Sequence, residues 1–199
     1  MTEAGDRFAG IPAISTARLQ LQAVLPREYE ILALDRSDPG LWIDRGFTNP
    51  HGYLHADPGP LPHRLPQIRK HPERAAYLLR MAVHRESATI IGSAGFHGLP
   101  DVNGMIEIGV EIVPQWRGQG FAQEVLHGMW GWVLDQPNVR VLRYTVSPDN
   151  RPSQSIIRKF GFQFKGQQLD PKDGPEDIFE MDAVEYRRRL DHELLDSGP

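Results

Sequence analysis

Arg117, Gly118, Gln119 and Gly120 stand directly before a stretch with helical periodicity, and their types suit the binding of an anion. Glycine reaches positive φ without the steric cost that other residues carry, so both glycines allow backbone N–H groups to face one concavity. A helix beginning near Phe121 would add unpaired N–H groups and the positive end of its dipole. The guanidinium of Arg117 is a charged fork for phosphate. The segment therefore predicts a pyrophosphate cradle.

Three phosphate-binding motifs compete for this segment. A Walker A loop ends in Gly-Lys-Ser or Gly-Lys-Thr, and no lysine follows the glycines here. A dinucleotide fingerprint needs a third glycine where the chain has Gln123, and it should follow a parallel strand. The coenzyme A loop, Q/R-x-x-G-x-G/A, matches at every position from Gln115 to Gly120. The motif comparison therefore favours a coenzyme A pyrophosphate loop.

The residues before the loop predict the elements that carry it. Apolar and polar residues alternate from Leu19 onward, which is the period of a strand, and Pro26 then opens a helix over 26–35. Further strands are expected at 76–84, 89–97 and 105–113, which together would form an antiparallel meander.

The residues after the loop complete the pattern. Apolar pairs recur every four residues from Val125 to Leu134, which predicts an amphipathic helix. A helix over 151–160 has Asn150 or Asp149 as its N-cap and Gly161 after its end. One α+β domain accommodates these and the remaining predicted elements, which are strands at 139–146, 162–168 and 178–182 and a helix at 183–195.

Residues 37–72 are the least regular part of the chain and contain seven prolines and four histidines. Because proline donates no backbone hydrogen bond, the segment predicts no long helix and no central strand, only short helices near 41–45 and 66–70. Unstructured segments of this length are usually functional, and we expect an acceptor-side loop. Its aromatic residues either line an acceptor pocket or join the core: Trp42, Phe47 and Tyr53.

Four motifs occur together in one order and at one spacing. They are TARLQL at 16–21, EIG at 107–109, QWRGQGFA at 115–122, and NRPS at 150–153 followed by KFGF at 159–162. Over about residues 15–185 the chain resembles the GNAT N-acetyltransferase superfamily, and within it the Rim-type branch of ribosomal-protein alanine acetyltransferase-like enzymes. The segment 37–72 has no counterpart in this resemblance.

The resemblance implies a single GNAT-type α+β domain, with a mixed, mostly antiparallel, splayed sheet flanked by helices. It implies acetyl-CoA as co-substrate, with the pantetheine arm along a strand edge, the pyrophosphate on the loop, and the thiol near Ser153. The implied coenzyme A-binding residues are Ile112, Val113, Arg117, Gly118, Gln119, Gly120, Phe121, Ala122, Asn150 and Ser153.

The implied chemistry is acyl transfer to a primary amine, which must lose a proton before it can attack. Glu107 and Glu111 share one strand face, and the resemblance favours Glu107 as the base. A backbone N–H near Ile112 or Val113 would stabilise the developing oxyanion. The tyrosine that often protonates the departing thiolate is replaced by Ile157, so Ser153, Ser155 or water must serve instead, or the thiolate leaves without a proton. Glu107, Glu111 and Ser153 are the catalytic candidates.

Composition narrows the functional classes. The chain has 199 residues and no cysteine, which excludes disulfides, thiolate metal sites and a cysteine acyl-enzyme. A net charge of −4 argues against non-specific nucleic-acid binding. His51 and His55 are spaced i,i+4, but the prolines around them preclude a helix that would align them on a metal, so no metal is expected. No apolar run is long enough for a membrane span, and the N-terminal residues lack a secretory signal pattern, which leads us to expect a cytoplasmic protein.

The expected organisation is a flexible arm at 1–14, an acetyltransferase domain at 15–185, and a C-terminal helix or tail at 186–199. The acceptor is left open between a protein N-terminus and a small-molecule amine, and a homodimer is one option for the assembly. Two other functions compete with acetyl transfer. One is a catalytically silent coenzyme A-binding module, which the missing tyrosine supports, and the other is an enzyme that uses another acyl-CoA such as succinyl-CoA.

Overall fold

A computed structural model describes residues 10–171 and 174–196. The described residues form two compact units. The first consists of residues 10–97 and 110–129, and the second of residues 98–109 and 130–196 without the gap. The strand that carries both candidate glutamates contributes residues to each unit.

The first unit contains an antiparallel sheet in which each strand pairs with the next along the chain. Leu19 and Leu21 alternate inward and are buried, whereas Gln20 and Gln22 face outward and are only partly covered. This is the alternation that predicted the strand. The elements are β1 Ile14–Ser15, β2 Leu19–Ala23, α1 Pro26–Leu34, α2 Leu61–Lys70, α3 Ala75–Leu78, β3 Arg80–His84 and β4 Thr89–Phe96.

The proline-rich segment 37–72 is more helical than the sequence predicts. It contains a 3₁₀ turn at Ile43–Arg45 and the ten-residue helix α2, so the expectation of short helices alone is wrong. Pro62 lies in the first turn, where its missing N–H has no helical partner to lose. Pro66 removes one interior hydrogen bond, and burial of Leu61 and Ile68 on the inner face offsets that loss.

The predicted strand at 76–84 is also partly wrong. Residues 75–78 form the helix α3, and β3 begins only at Arg80. Ala75 and Leu78 are buried, as are all but the last residue of β3. A continuous buried apolar run has no period that distinguishes helix from strand, so the sequence could not resolve this boundary.

The second unit combines one parallel pairing with antiparallel pairings. β5 (Met105–Ile112) runs parallel to β6 (Val141–Val146), and β6 pairs antiparallel with β8 (Gly174–Asp182), which pairs with β7 (Gln163–Asp170). The parallel register ends at Glu107 and Arg143, although β6 continues to Val146. The sheet is thus mixed and mostly antiparallel, as predicted. The remaining helices are α4 Phe121–Leu134, whose residues are divided between the two units, and α5 Arg151–Lys159 and α6 Ala183–Asp196 of the second unit.

Trp130 organises the aromatic core of the second unit. Its ring stacks on Phe162 at 4.6 Å and meets Phe160 edge-on at 4.9 Å. Tyr186 from α6 packs against the same indole at 5.6 Å. Gly161, between the two phenylalanines, has φ of 80° and ends α5 as predicted. The KFGF motif is therefore a helix stop that places two rings on one tryptophan.

The chain termini are described in part. Ile14, the last residue of the predicted arm at 1–14, lies in β1 and pairs with Leu21 of β2. Residues 1–9 lie outside the described residues. The predicted C-terminal helix is α6, which extends to Asp196, and residues 197–199 lie outside the description. Among the described residues, no helix has the length and apolar character that a membrane crossing requires.

Candidate functional site

The predicted cradle follows a 3₁₀ turn at Pro114–Trp116 and leads into α4. Gly118 and Gly120 have φ of 76° and 82°, which is the left-handed region that the motif predicts for both. Residues 117–120 are exposed. The first N–H groups of a helix have no partner inside it, and α4 begins with Phe121 and Ala122. The loop therefore has the backbone conformation, the exposure and the helix terminus that an anion site needs.

Arg117 is held by the end of β5. Its Nε donates to the carbonyl oxygen of Ile112 at 2.7 Å, while the residue as a whole remains exposed. A guanidinium carries five N–H donors, so one such bond orients the fork without exhausting it. This places the predicted phosphate ligand at the base of the loop.

A residue that the sequence analysis missed braces the loop. Arg18 donates from its Nη1 to the carbonyl oxygen of Gln119 at 3.1 Å. Its Nε forms an ion pair of 2.7 Å with Glu124 in the first turn of α4, and its guanidinium lies 4.0 Å from the Phe121 ring. The same Glu124 accepts a hydrogen bond of 2.6 Å from Thr16. The TARLQL motif thus contributes side chains to the loop, although it is about a hundred residues away in sequence.

Glu124 would by itself oppose an anion at the start of α4. Burial disfavours its charged form, but hydrogen bonds from Thr16 and Arg18 outweigh burial and hold the pKa of this carboxyl below its usual value. The carboxylate is therefore ionised and neutralised by Arg18. The ion pair with Arg18 therefore offsets the negative charge of Glu124 beside the loop.

The end of β5 is where the resemblance puts the pantetheine edge and the oxyanion donor. The Val113 N–H already donates to the Ile91 carbonyl at 2.9 Å, and the Val113 carbonyl accepts from Trp116 N at 2.9 Å. Val113 must therefore give up a sheet bond before its N–H can serve a ligand. The Ile112 carbonyl is the acceptor of the Arg117 bond. The ligand role of both residues stays a prediction.

The two candidate carboxylates have different surroundings. Glu111, in the first unit, is exposed and accepts a hydrogen bond of 3.1 Å from the Tyr53 hydroxyl. Glu107, in the second unit, is partly buried and accepts one of 2.5 Å from Thr145 Oγ1. Each carboxylate therefore has a different hydroxyl partner.

The start of α5 presents the remaining predicted residues. Asn150 is the N-cap, and its side-chain oxygen accepts from Ser153 N at 3.2 Å. The Ser153 side chain lies near the hydroxyl of Tyr144 on β6 and partly opposes the rise that burial causes in the pKa of that phenol. Ile157, which replaces the tyrosine of the family pattern, is completely buried. A phenol therefore lies beside Ser153 after all, but it comes from a strand rather than from the helix.

Comparison with known proteins identifies the family. The model of the acetyltransferase (GNAT) domain matches residues 18–163, which contain the loop, both glutamates and α5. This chain belongs to the GNAT acetyltransferase family.

Relatives and solved structures agree with the family. The chain is 35% identical over 80 residues to YjdG, an uncharacterized N-acetyltransferase of Bacillus subtilis (strain 168), covering 40% of this chain and 48% of the relative. It is 33% identical over 82 residues to YoaA of the same organism, covering 41% and 46%. The chain thus spans about half the length of the curated relatives it matches.

The fold is shared with solved GNAT enzymes at low sequence identity. An acetyltransferase from Bacillus anthracis superposes with a TM-score of 0.58 at 17% identity, covering 86% of this chain and 99% of that one. RimL, a ribosomal alpha-N-protein acetyltransferase in complex with coenzyme A, superposes at 0.59 and 16% identity, covering 85% and 97%. A spermidine N-acetyltransferase SpeG chimera from Vibrio cholerae reaches 0.59 at 13%, covering 86% and 99%. These similarities confirm the predicted GNAT fold.

In this GNAT chain, the aromatic residues of 37–72 join the core of the first unit. Trp42 and Phe47 stack at 5.4 Å and are buried, as is Tyr53.

Two of the histidines contact Trp116. His51 accepts from Trp116 Nε1 at 2.9 Å, and His84 packs on the same indole at 4.8 Å. Within the described residues, no group of three or more His, Asp or Glu is arranged to hold a metal ion.

Proposed function

We propose that this GNAT chain transfers an acetyl group from acetyl-CoA to a primary amine by direct attack within a ternary complex. The observation that carries the proposal is the loop at residues 117–122, where Gly118 and Gly120 both adopt left-handed φ before the start of α4. The absence of cysteine from the sequence leaves no thiol for a cysteine acyl-enzyme, which favours direct transfer. The proposed catalytic domain is 15–185, with 37–72 on the acceptor side.

Each part of the chain has a proposed task. The loop and Arg117 would bind the pyrophosphate, and the family resemblance assigns the pantetheine arm to Asn150 and the thiol region to Ser153. When bound, acetyl-CoA would supply the acetyl group as a thioester. Glu111 or Glu107 would accept the proton that the amine loses, and the Ile112 N–H would stabilise negative charge on the carbonyl oxygen.

The proposed acceptor class follows the Rim-type resemblance and is the α-amine of a protein or peptide. What supports it is the resemblance of the TARLQL motif at 16–21 to the Rim-type branch. A rate panel of N-terminal peptides, spermidine and free amino acids, read by thiol release, tests this. Faster transfer to spermidine than to every peptide would contradict the Rim-type assignment and leave the acetyltransferase proposal intact.

A pair of glycine variants tests the loop. A Cβ added at Gly118 or at Gly131 would meet no atom within 4 Å, but Gly118 has φ of 76° whereas Gly131 lies within the helix α4. Left-handed backbone costs a non-glycine residue about 1–2 kcal/mol, so we expect Gly118→Ala to raise the KM for acetyl-CoA about tenfold. Gly131→Ala should leave it unchanged. Equal KM values for the two variants would contradict a role for the loop conformation in cofactor binding.

The silent coenzyme A-binding module is the second candidate, because Ile157 is buried where the family often has a tyrosine. Both candidates predict binding of acetyl-CoA, and only the enzyme predicts release of thiol in the presence of amines. A comparison of acetyl-CoA with succinyl-CoA in the same assay separates the acyl donors.

A further inference from the structure

Tyr53 reaches one of the two candidate carboxylates from the acceptor-side segment 37–72. Its hydroxyl lies 3.1 Å from Glu111 Oε2 and 2.8 Å from Ser93 Oγ. The tyrosine is 9% exposed and Ser93 is 3% exposed, whereas Glu111 is exposed. A buried phenol therefore joins a buried serine to a carboxylate at the surface.

The backbone around Tyr53 is held by a single side chain. Asn49 accepts from Tyr53 N at 2.9 Å and donates from Nδ2 to the Tyr53 carbonyl at 3.0 Å. The ring joins the core cluster that includes Val113. The phenol is thus fixed at its backbone and at its ring, so its hydroxyl has a defined position.

The direction of the hydrogen bonds follows from the groups themselves. An ionised carboxylate only accepts, so Tyr53 donates its proton to Glu111, and its oxygen accepts from the Ser93 hydroxyl. Burial, and then the charge of Glu111, raise the pKa of Tyr53 well above its usual value. The phenol consequently stays protonated and remains a donor throughout the neutral range.

Glu107 has different surroundings. It accepts from Thr145 on β6 and is partly buried. Glu111 has one oxygen fixed by Tyr53 and belongs to an exposed residue. A general base must be both accessible to the amine and held in one orientation, and Glu111 meets both conditions.

We infer that Tyr53 is a positioning residue that orients Glu111 as the base for the acceptor amine. The inference rests on the proposed function. Tyr53 turns Oε2 toward the phenol, and the other carboxylate oxygen, Oε1, accepts the proton that leaves the amine nitrogen. The proline-rich segment then serves to deliver this phenol to β5.

A double-mutant cycle tests the coupling. Glu111→Gln should lower kcat at least a hundredfold, within the range for loss of a general base. Tyr53→Phe should lower kcat about tenfold without changing the KM for acetyl-CoA. In the Glu111→Gln background, Tyr53→Phe should have less than a twofold effect, because its action passes through the missing carboxylate.

Two further variants serve as controls. Tyr77→Phe removes a tyrosine hydroxyl from a half-buried ring beside Phe96 in the same unit, and it should leave kcat within twofold of the wild type. Ser93→Ala removes the second partner of the phenol and should reduce kcat less than Tyr53→Phe. An additive effect of Tyr53→Phe in the Glu111→Gln background would overturn the positioning role.

A spectroscopic readout separates this inference from the proposed function. The 13C chemical shift of Tyr53 Cζ reports the hydrogen bond of the phenol. Relative to the wild type, this shift should change in Glu111→Gln and remain unchanged in Glu107→Gln. If the wild type releases no thiol with any amine, the proposed function and the base role both fail. If the wild type is active and the Tyr53 resonance is unmoved by Glu111→Gln, the inference alone fails.

Discussion

Ser153 and Ser155 lie two positions apart on α5 and differ in one contact. Ser153 lies near the Tyr144 hydroxyl, and Ser155 is exposed. Burial raises the pKa of Tyr144, and Ser153 only partly opposes this, so the phenol stays protonated at neutral pH. We propose that Ser153 donates a proton to the departing thiolate, a task for which Ile157 has no hydroxyl.

At the residue scale we predict that Ser153→Ala lowers kcat about tenfold, because the departing thiolate loses its proton donor. Ser155→Ala should leave kcat within twofold and serves as the matched control on the same helix. The Asn150 cap is unaffected in both variants, since it uses the backbone N–H of Ser153. Thiol release under saturating acetyl-CoA measures the effect. Equal rates for the two variants would point to water or to unaided departure.

At the scale of elements, two helix N-termini carry the proposed cofactor contacts, and each is held by a side chain. Glu124 in the first turn of α4 is bound by Thr16 and Arg18, and Asn150 caps α5. An asparagine cap has a structural role on any interpretation, so its cofactor role must be separated from its capping role.

Two substitutions of Asn150 separate these roles. Asn150→Ala should lower the free energy of unfolding by about 1 kcal/mol, whereas Asn150→Ser keeps a capping oxygen and should recover most of that loss. If the amide also contacts the pantetheine arm, the KM for acetyl-CoA rises in both variants. Urea unfolding and initial rates measure the two effects. A wild-type KM in Asn150→Ser would restrict Asn150 to capping.

At the scale of the whole molecule, a net charge of −4 is compatible with an anionic ligand. Charges at the surface are screened within roughly 8 Å at physiological ionic strength, so the local donors of the loop matter more than the total. Arg18 and Arg117 both lie at the cradle, and Arg18 neutralises the acid beside it.

Acetyl-CoA at a concentration of a hundred times its Kd should stabilise the chain by about 2.7 kcal/mol, since a ligand that binds only the folded state shifts unfolding by mass action. For a chain of this size this corresponds to a Tm increase of roughly 5–11 °C. Thermal denaturation with and without the ligand measures it. An unchanged Tm at millimolar acetyl-CoA would contradict both the enzyme and the silent module.

The sequence predicted the parts of the site that depend on local backbone conformation. The left-handed glycines of the loop, the Asn150 cap and the stop at Gly161 each follow from a few adjacent residues. The sequence did not reveal the helix α2 or the start of β3 at Arg80. In both cases burial of an apolar face, which depends on the rest of the chain, determined the element.

The family, the mixed sheet, the loop and its helix were determined by the sequence alone, because motif spacing and side-chain periodicity express local geometry. Only the tertiary structure showed that Arg18 braces the loop, that the Tyr53 hydroxyl donates to Glu111, and that a strand residue, Tyr144, lies beside Ser153. Most of these contacts join residues tens to a hundred positions apart. Such pairs depend on the packing of whole elements, and no local pattern encodes which hydroxyl or guanidinium will meet a given partner.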